Sequence, residues 1–378
     1  MEKILRLIVA CVFLIVPPSV LAGVANGKLQ IHYIDVGQGD GAILISPKGE
    51  TVMFDSGNSK DCAKPLAYLE SIGVTEVDYH VTSHYHSDHI GCATEVFGQV
   101  KLKKAAYDRG QSYSSNVYRD YVKIVGNKRT TVQPGTTLTL DAQSANPVRL
   151  KFITANANGI QTDDENDKSV VVVVEFGGFK AEFGGDLSGE STTKYKDIET
   201  SVAPMVGPID VYKVHHHCSS HSTNPTWMAT TKPTVGIISV GDGNDYGHPT
   251  EACLTRLHDA GIKKTYWTER GNGAAPDSKT DVISGSVVVE VVPNAKKYTV
   301  SYHDHAVDEY AIAGEAEAPG PNTNNDISDK KLAWSKLSNV YHHADCDVVK
   351  LIKPANIVFG DTPPAGKTLH KDCPKKSR

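Results

Sequence analysis

The sequence predicts a layered α/β sandwich followed by a small appended module. Three observations carry this. Short β-rich runs recur in two stretches of the chain, helical segments closed by glycine lie among them, and the composition changes after about residue 305. Two β-rich halves with helices between them bury their apolar faces by stacking in layers. A chain of 378 residues is long enough for one such core and a second unit.

The elements follow in order. Leu29 to Val36, Gly41 to Ser46 and Thr51 to Phe54 read as strands, with Pro47-Lys48-Gly49-Glu50 as a hairpin turn. Lys64 to Ile72 fits a short helix closed by Gly73, since glycine tolerates the left-handed backbone of a helix end. Val77 to Thr82 reads as a buried strand that leads directly into a histidine cluster. In the second half, Arg149 to Ile153, Val170 to Phe176, Phe179 to Phe183, Val211 to Val214 and Val235 to Val240 read as strands. The run Val170 to Val174 is all valine, the mark of a strand covered on both faces. Thr250 to Ala260 reads as a helix ending at Gly261, and strands Val287 to Val292 and Tyr298 to Tyr302 close the set.

Residues 1–22 read as a secretory signal peptide: Lys3 and Arg6, then the apolar run Ile8 to Val16, then a small-residue cleavage site at Val20-Leu21-Ala22. Pro17-Pro18 stop the run short of the ~20 residues a membrane span needs. The expected product is secreted or periplasmic, with no stable membrane span after cleavage. Removing Cys11 with the signal leaves Cys62, Cys92, Cys218, Cys253, Cys346 and Cys373. An oxidising compartment permits disulfides, and Cys62 with Cys92 or Cys346 with Cys373 could pair, but the spacing does not define a framework. The net charge of −5 excludes a uniformly basic coat for nucleic acid, though not a local basic groove. Residues 23–305 are then one domain, 306–331 a flexible linker rich in Ala, Glu, Pro, Asn and Asp, and 332–378 a small module.

The chemistry concentrates in Thr82-Ser83-His84-Tyr85-His86-Ser87-Asp88-His89, with four metal-capable side chains within six residues. Imidazole nitrogen and carboxylate oxygen are ligands for zinc and similar divalent ions. His84 and His86 alternate on extended backbone and reach one ion, while Asp88 and His89 turn toward a second. Two ions ~3.5–4 Å apart suit hydrolysis, because they clamp the attacking and leaving oxygens together. Asp40 and Gln38 lie in a glycine-punctuated loop and are candidates to touch water or substrate. No Gly-x-Ser-x-Gly elbow, P-loop or dinucleotide fingerprint offers a rival nucleophile system.

His-x-His-x-Asp-His resembles the signature of the metallo-β-lactamase fold, and the segments around it resemble the hydrolase domain of the ComEC competence protein and its secreted relatives. These segments are Asp35-Val36-Gly37-Gln38-Gly39-Asp40, Phe54-Asp55-Ser56-Gly57, Gly184-Gly185-Asp186-Leu187, Lys213-Val214-His215-His216-His217-Cys218-Ser219-Ser220, and Ser239-Val240-Gly241 through Tyr246-Gly247-His248-Pro249. The resemblance implies a four-layer αββα sandwich and a two-metal site, zinc or alternatively manganese. It makes Asp186 the carboxylate bridging both ions and His216 (or His217) the last histidine ligand, with His216 aligned to the first histidine of the family's His-His-Gly-Ser. Cys218 stands where that motif has glycine and reads as an inert small residue, or else as a group near the metal. Asp55 is implied to hold the histidine loop by hydrogen bonds. His248 is implied to bind a substrate oxygen, give a proton to the leaving group, or supplement the metal. The sequence departs from many members of the fold in having no histidine between His89 and Asp186. The first ion is left with His84, His86 and Asp186, and the second with Asp88, His89, Asp186 and His216.

Tyr341-His342-His343-Ala344-Asp345-Cys346 with Leu351-Ile352-Lys353-Pro354 resembles a small Ada-like metal-binding module. A zinc site of His342, Cys346, His370 and Cys373, or a Cys346–Cys373 disulfide, would staple it. The resemblances together imply a secreted phosphodiesterase or nuclease, with catalysis resting on Asp88, Asp186, His248 and Asp40 and a metal-bound hydroxide attacking a phosphoester, DNA or RNA. Lactonase or β-lactamase chemistry, or a weakly catalytic metal-dependent binding protein, are the alternatives. Nothing in the sequence names a protein partner.

Overall fold

The computed structural model describes residues 25–303, 306–313, 332–335, 339–343, 349, 357–360 and 366–370. The signal segment 1–22, most of the expected linker, and Cys346 and Cys373 lie outside them. The chain divides into two compact units, Met1–Glu315 and Ala316–Arg378. Among the described residues no helix is long and apolar enough to cross a membrane.

Two sheets build the first unit. The nine-stranded sheet runs from Ala306–Ala311 at one edge through Lys297–Tyr302, Val287–Val291, Leu29–Tyr33, Gly41–Ile45, Thr51–Asp55, Glu76–Val81 and Lys101–Asp108 to Arg129–Thr131. The eight-stranded sheet runs from Asp281–Ile283 through Lys264–Trp267, Val235–Ile238, Val211–Lys213, Phe179–Phe183, Val171–Phe176 and Val148–Thr154 to Thr137–Leu140. Strand alternation makes the layers. Leu29, Ile31 and Tyr33 join Val172, Val174 and Phe176 in a core formed by both sheets. Val171 and Val173 point the other way and pack with Val202, Trp227, Met228, Leu254 and Leu257 of three helices. On the outer side of the nine-stranded sheet, Ile43, Ile45 and Met53 meet Leu69, Val96, Tyr118 and Tyr121 from another three. The fold is thus the four-layer αββα sandwich of the metallo-β-lactamase type, and the valine run is covered on both faces.

One boundary is corrected. Residues 306–311, placed in the linker by composition, form a strand paired antiparallel with Lys297–Tyr302. Its inward positions are Ala306, Asp308 and Tyr310, so no apolar alternation betrays it. Asp308 instead accepts hydrogen bonds from Lys264 Nζ at 2.7 Å and Tyr266 Oη at 2.6 Å. The helices Asn116–Val125, Glu199–Val206 and Pro225–Thr231 also add to the elements read from sequence.

The second unit holds a four-stranded sheet in the order Ile357–Gly360, Leu332–Ser335, Val340–His343, Thr368–Leu369. His342, on the strand Val340–His343, and His370, just past the adjacent strand Thr368–Leu369, bring their rings to 4.9 Å between centroids.

Candidate metal centre

The histidine cluster sits where the strand Glu76–Val81 ends, beside the parallel strand Thr51–Asp55. Asp55 closes that neighbour at φ 49° and binds the loop twice, accepting from the Ser83 backbone N–H at 2.8 Å and the Ser83 hydroxyl at 2.7 Å. The same carboxylate accepts from His89 Nδ1 at 2.8 Å. A carboxylate can only accept, so Nδ1 carries a proton and Nε2 is the nitrogen turned to the site. The loop is pressed close to its neighbours. A Cβ on Gly39 would stand 2.2 Å from the Asp88 carbonyl oxygen, and one on Gly185 2.5 Å from Ser83 Cβ. Behind the cluster, a Cys62–Cys92 disulfide ties the start of the helix Ala63–Ser71 to the chain just past His89.

Asp186 arrives after the strand Phe179–Phe183 and lies between two groups of side chains. The ligand atoms of Asp88, His89, Asp186 and His217 all fall within 4.8 Å of one another, and so do those of His84, His86 and Asp186. Asp186 Oδ1 is 3.2 Å from His89 Nε2 and 3.4 Å from His217 Nε2, which is itself 3.4 Å from Asp88 Oδ2. Asp186 Oδ2 is 3.9 Å from His84 Nε2. His84 Nε2 and His86 Nδ1 meet at 3.0 Å. His89 Nε2, His217 Nε2 and Asp186 Oδ1 are buried with no directed hydrogen bond between them. Interior polar atoms left this way cost about 1–3 kcal/mol each. A divalent cation among them removes that cost, so these residues fit a metal pair, and their nitrogen and carboxylate donors suit ions such as zinc.

Burial holds the His84 imidazole well below its usual range, and the neighbouring His89 and His86 add to this. Burial would lower His89 too, but Asp186, Asp55 and Asp88 outweigh it and raise that ring well above its ordinary value. Burial opposes ionisation of Asp88, yet His89 and His217 bring its carboxyl to about 2. Asp186 follows the same pattern, with His217, His89 and His216 the cause. Asp88 and Asp186 are therefore held ionised by positive neighbours, a part that a bound cation would also play.

Several sequence expectations are revised. His217, not His216, completes the group with Asp88, His89 and Asp186. Its Nδ1 donates to the Ser239 carbonyl at 2.8 Å, which aims Nε2 at the site. His216 instead turns toward the other side of Asp186, with Nε2 3.7 Å from Oδ2. Residues 216, 217 and 218 hold φ of 51°, 52° and 61°, so consecutive side chains leave a tight left-handed turn in different directions. Cys218 is not a free thiol. It forms a disulfide with Cys253, anchoring the turn to the helix Glu251–Asp259.

Asp40, expected to touch water or substrate, faces inward and is 5 % exposed. It accepts from Lys213 Nζ at 2.7 Å and stands 3.4 Å behind His217 Nδ1, so it supports the ligands from the far side. Gln38 does line the open groove and holds the Gly241 N–H at 3.1 Å. His248 lies on the groove wall with its ring 5.6 Å from that of His216 and 6.1 Å from that of His217. Burial, reinforced by those two histidines, lowers it to about 3.

Sequence reasoning passed over Asn166, Lys213 and the tyrosines. Asn166 is buried beside His216, its Nδ2 3.3 Å from His216 Nε2. Its place between His89 and Asp186, where a histidine was sought, was the signal available. The groove above the site measures about 500 Å³, and Tyr113, Tyr195, Tyr246, Lys194, Ser219 and Ser220 are among its lining residues.

Comparison with known proteins identifies the family. The model of the family described as the metallo-beta-lactamase superfamily matches residues 41–241, a span that includes His84, His86, Asp88, His89, Asp186, His216 and His217. ComE operon protein 3 of Bacillus subtilis is 23 % identical over 253 residues, covering 62 % of this chain and 31 % of that protein. Recombination protein 2 of Haemophilus influenzae is 26 % identical over 234 residues, covering 61 % and 26 %, and competence protein ComA of Neisseria gonorrhoeae is 27 % identical over 244 residues, covering 64 % and 31 %. These relatives are ComEC-like competence proteins, and this chain spans less than a third of the length of each. The crystal structure of the metallo-beta-lactamase fold protein YhfI from Bacillus subtilis aligns with 66 % of this chain and 99 % of its own at 12 % identity, with a TM-score of 0.40.

Proposed function

The chain belongs to the metallo-beta-lactamase superfamily, and from that premise we propose that it is a secreted two-metal phosphodiesterase acting on a nucleic-acid strand. The observation that carries the reading is Asp186, whose two oxygens face two separate groups of metal-capable side chains at the floor of an open groove. His84, His86 and Asp186 would hold one ion and Asp88, His89, His217 and Asp186 the other, with zinc the expected metal and manganese the alternative. When bound, such a pair supplies charge stabilisation of phosphoryl oxygens and an acidified water.

The protein's own groups orient the chemistry. Asp55 and the Ser239 carbonyl fix the tautomers of His89 and His217. Lys213 and Asp40 keep a buried charge pair behind them. His248 on the groove wall is assigned the contact with a substrate oxygen. Tyr246, 67 % exposed and stacked on His248 at 5.7 Å, and Tyr113 and Tyr195 offer aromatic faces to bases, while Lys194 offers charge to phosphates. This favours a polymer with flat bases over a small lactone. The competence relatives add DNA as the natural candidate. In this reading residues 1–22 are a cleaved signal and 332–378 an appended module.

The test is turnover by purified protein, with zinc and with manganese, on single-stranded DNA, bis-p-nitrophenyl phosphate and a panel of lactones and β-lactams. Cleavage of the phosphodiesters is expected; turnover of the carbon esters alone would overturn the proposal. Sequencing the mature N-terminus checks secretion, with a start at Gly23 expected.

A further inference from the structure

The two ions of the proposed pair are unequally provided for. The second has four protein ligands, while the first has His84, His86 and the shared carboxylate, with no histidine between residues 89 and 186 to complete it. Three features of the interior point to what takes that place.

The first is the division of contacts around Asp186. Oδ1 faces His89 Nε2 and His217 Nε2 at 3.2 and 3.4 Å. Oδ2 faces His84 Nε2 and His216 Nε2 at 3.9 and 3.7 Å. His216 therefore approaches Oδ2, the oxygen that faces His84, as His217 approaches Oδ1, the oxygen that faces His89. The left-handed backbone at both residues is what lets neighbouring imidazoles serve opposite sides of one carboxylate.

The second is the shortage of hydrogen-bond partners for the ring. Among the described residues His216 Nδ1 is buried with no hydrogen-bond partner, and Nε2 faces Asp186 Oδ2 and Asn166 Nδ2. The third is Asn166 itself. It is 3 % exposed, its Nδ2 lies 3.3 Å from His216 Nε2, and its Oδ1 is buried without a partner. A half-turn of the carboxamide exchanges the two ends and brings the oxygen to the same place. An amide oxygen and an imidazole nitrogen there are both ligands a divalent ion accepts.

We infer that His216, with Asn166 beside it, completes the first ion's site, so that the adjacent histidines 216 and 217 serve different ions. The inference rests on the two-ion reading proposed above. It replaces the missing histidine with a residue pair brought together from two loops.

The experiment counts bound zinc by elemental analysis after gel filtration, and follows zinc affinity by chelator competition, without reference to activity. Glycine is the replacement at 216 and 217 because it tolerates the positive φ of both. Wild type is expected to carry two ions. His216→Gly should weaken one of them by about tenfold or more, and Asn166→His in that background should restore it. Combined with His86→Ala, which damages the first site, His216→Gly should leave one tight ion, whereas His217→Gly should leave none. Cobalt(II) absorption of the single variants provides a second readout: His216→Gly and His86→Ala should lose the same component of the spectrum. The inference is overturned if the outcomes of the two double variants are exchanged, if His216→Gly binds zinc like wild type, or if its lost cobalt component matches His217→Gly. A wild-type count below two would overturn the two-ion reading itself and this inference with it.

Discussion

Asp55 shows how much of the site depends on side chains that never reach the open groove. One carboxylate holds the Ser83 backbone, the Ser83 hydroxyl and His89 Nδ1, all within 2.8 Å. Replacing it by Asn keeps the shape but puts an N–H₂ where an acceptor is needed, so the loop loses one anchor and His89 its fixed tautomer. Asp55→Asn should weaken metal binding by about 10–100-fold, measured by chelator competition, with the overall fold retained by circular dichroism. At this scale the grouping of side chains was legible where they are contiguous, as in residues 84–89, and where a motif names a position, as at Asp186 and Asp55. It was not legible where backbone torsion decides. His216 and His217 are chemically identical neighbours, and the φ values of 51° and 52° that separate them are set by a turn locked through Cys218–Cys253. Asp40 was misread for a related reason: its glycine-flanked loop looks exposed, but Lys213 from the opposite sheet draws the carboxylate inward.

The elements position the site through packing between the sheets. Phe54 and Phe183 stack at 4.1 Å between centroids, one just before Asp55 and the other just before the Gly184-Gly185-Asp186 turn. Contact between these rings therefore sets the spacing of the two carboxylates above it. Phe183→Ala should cost about 3–5 kcal/mol of stability, read from urea unfolding, and should weaken metal binding as well. The strand that leads into the histidine loop carries a second dependence. His80 is fully buried, donates from Nδ1 to the Met53 carbonyl at 3.1 Å and accepts at Nε2 from Thr82 at 2.8 Å. Burial lowers its pKa to about 4 from an ordinary 6.5. The unfolded chain thus takes up a proton that the folded chain refuses. Stability is intact above pH 6.5 and falls as pH drops from there toward about 4. His80→Gln should flatten the dependence of unfolding free energy on pH across that window; an unchanged slope would show that other groups cause it. Strands with alternating or wholly apolar residues were readable in advance. Ala306–Ala311 was not, because its inward side chains are satisfied by hydrogen bonds rather than apolar contact.

In the whole molecule, two sheets bring together residues from 84 to 248 at one groove, with disulfides at Cys62–Cys92 and Cys218–Cys253 securing the two loops that supply most ligands. The family and its layered fold were legible in the sequence because the motifs keep their order along most of the first unit. The groove was not, since Tyr113, Tyr195 and Tyr246 are separated by long stretches of chain and share no pattern. All of this converges on Asp186, the carboxylate that the proposed two-ion reading shares between its cations. The direct measurement is zinc bound per chain in wild type and in Asp186→Asn, together with phosphodiester turnover. The shared role predicts two ions in wild type, weakened binding of both in the variant, and turnover lost with them. A variant that keeps two tightly bound ions, or loses one while the other is untouched, would contradict it.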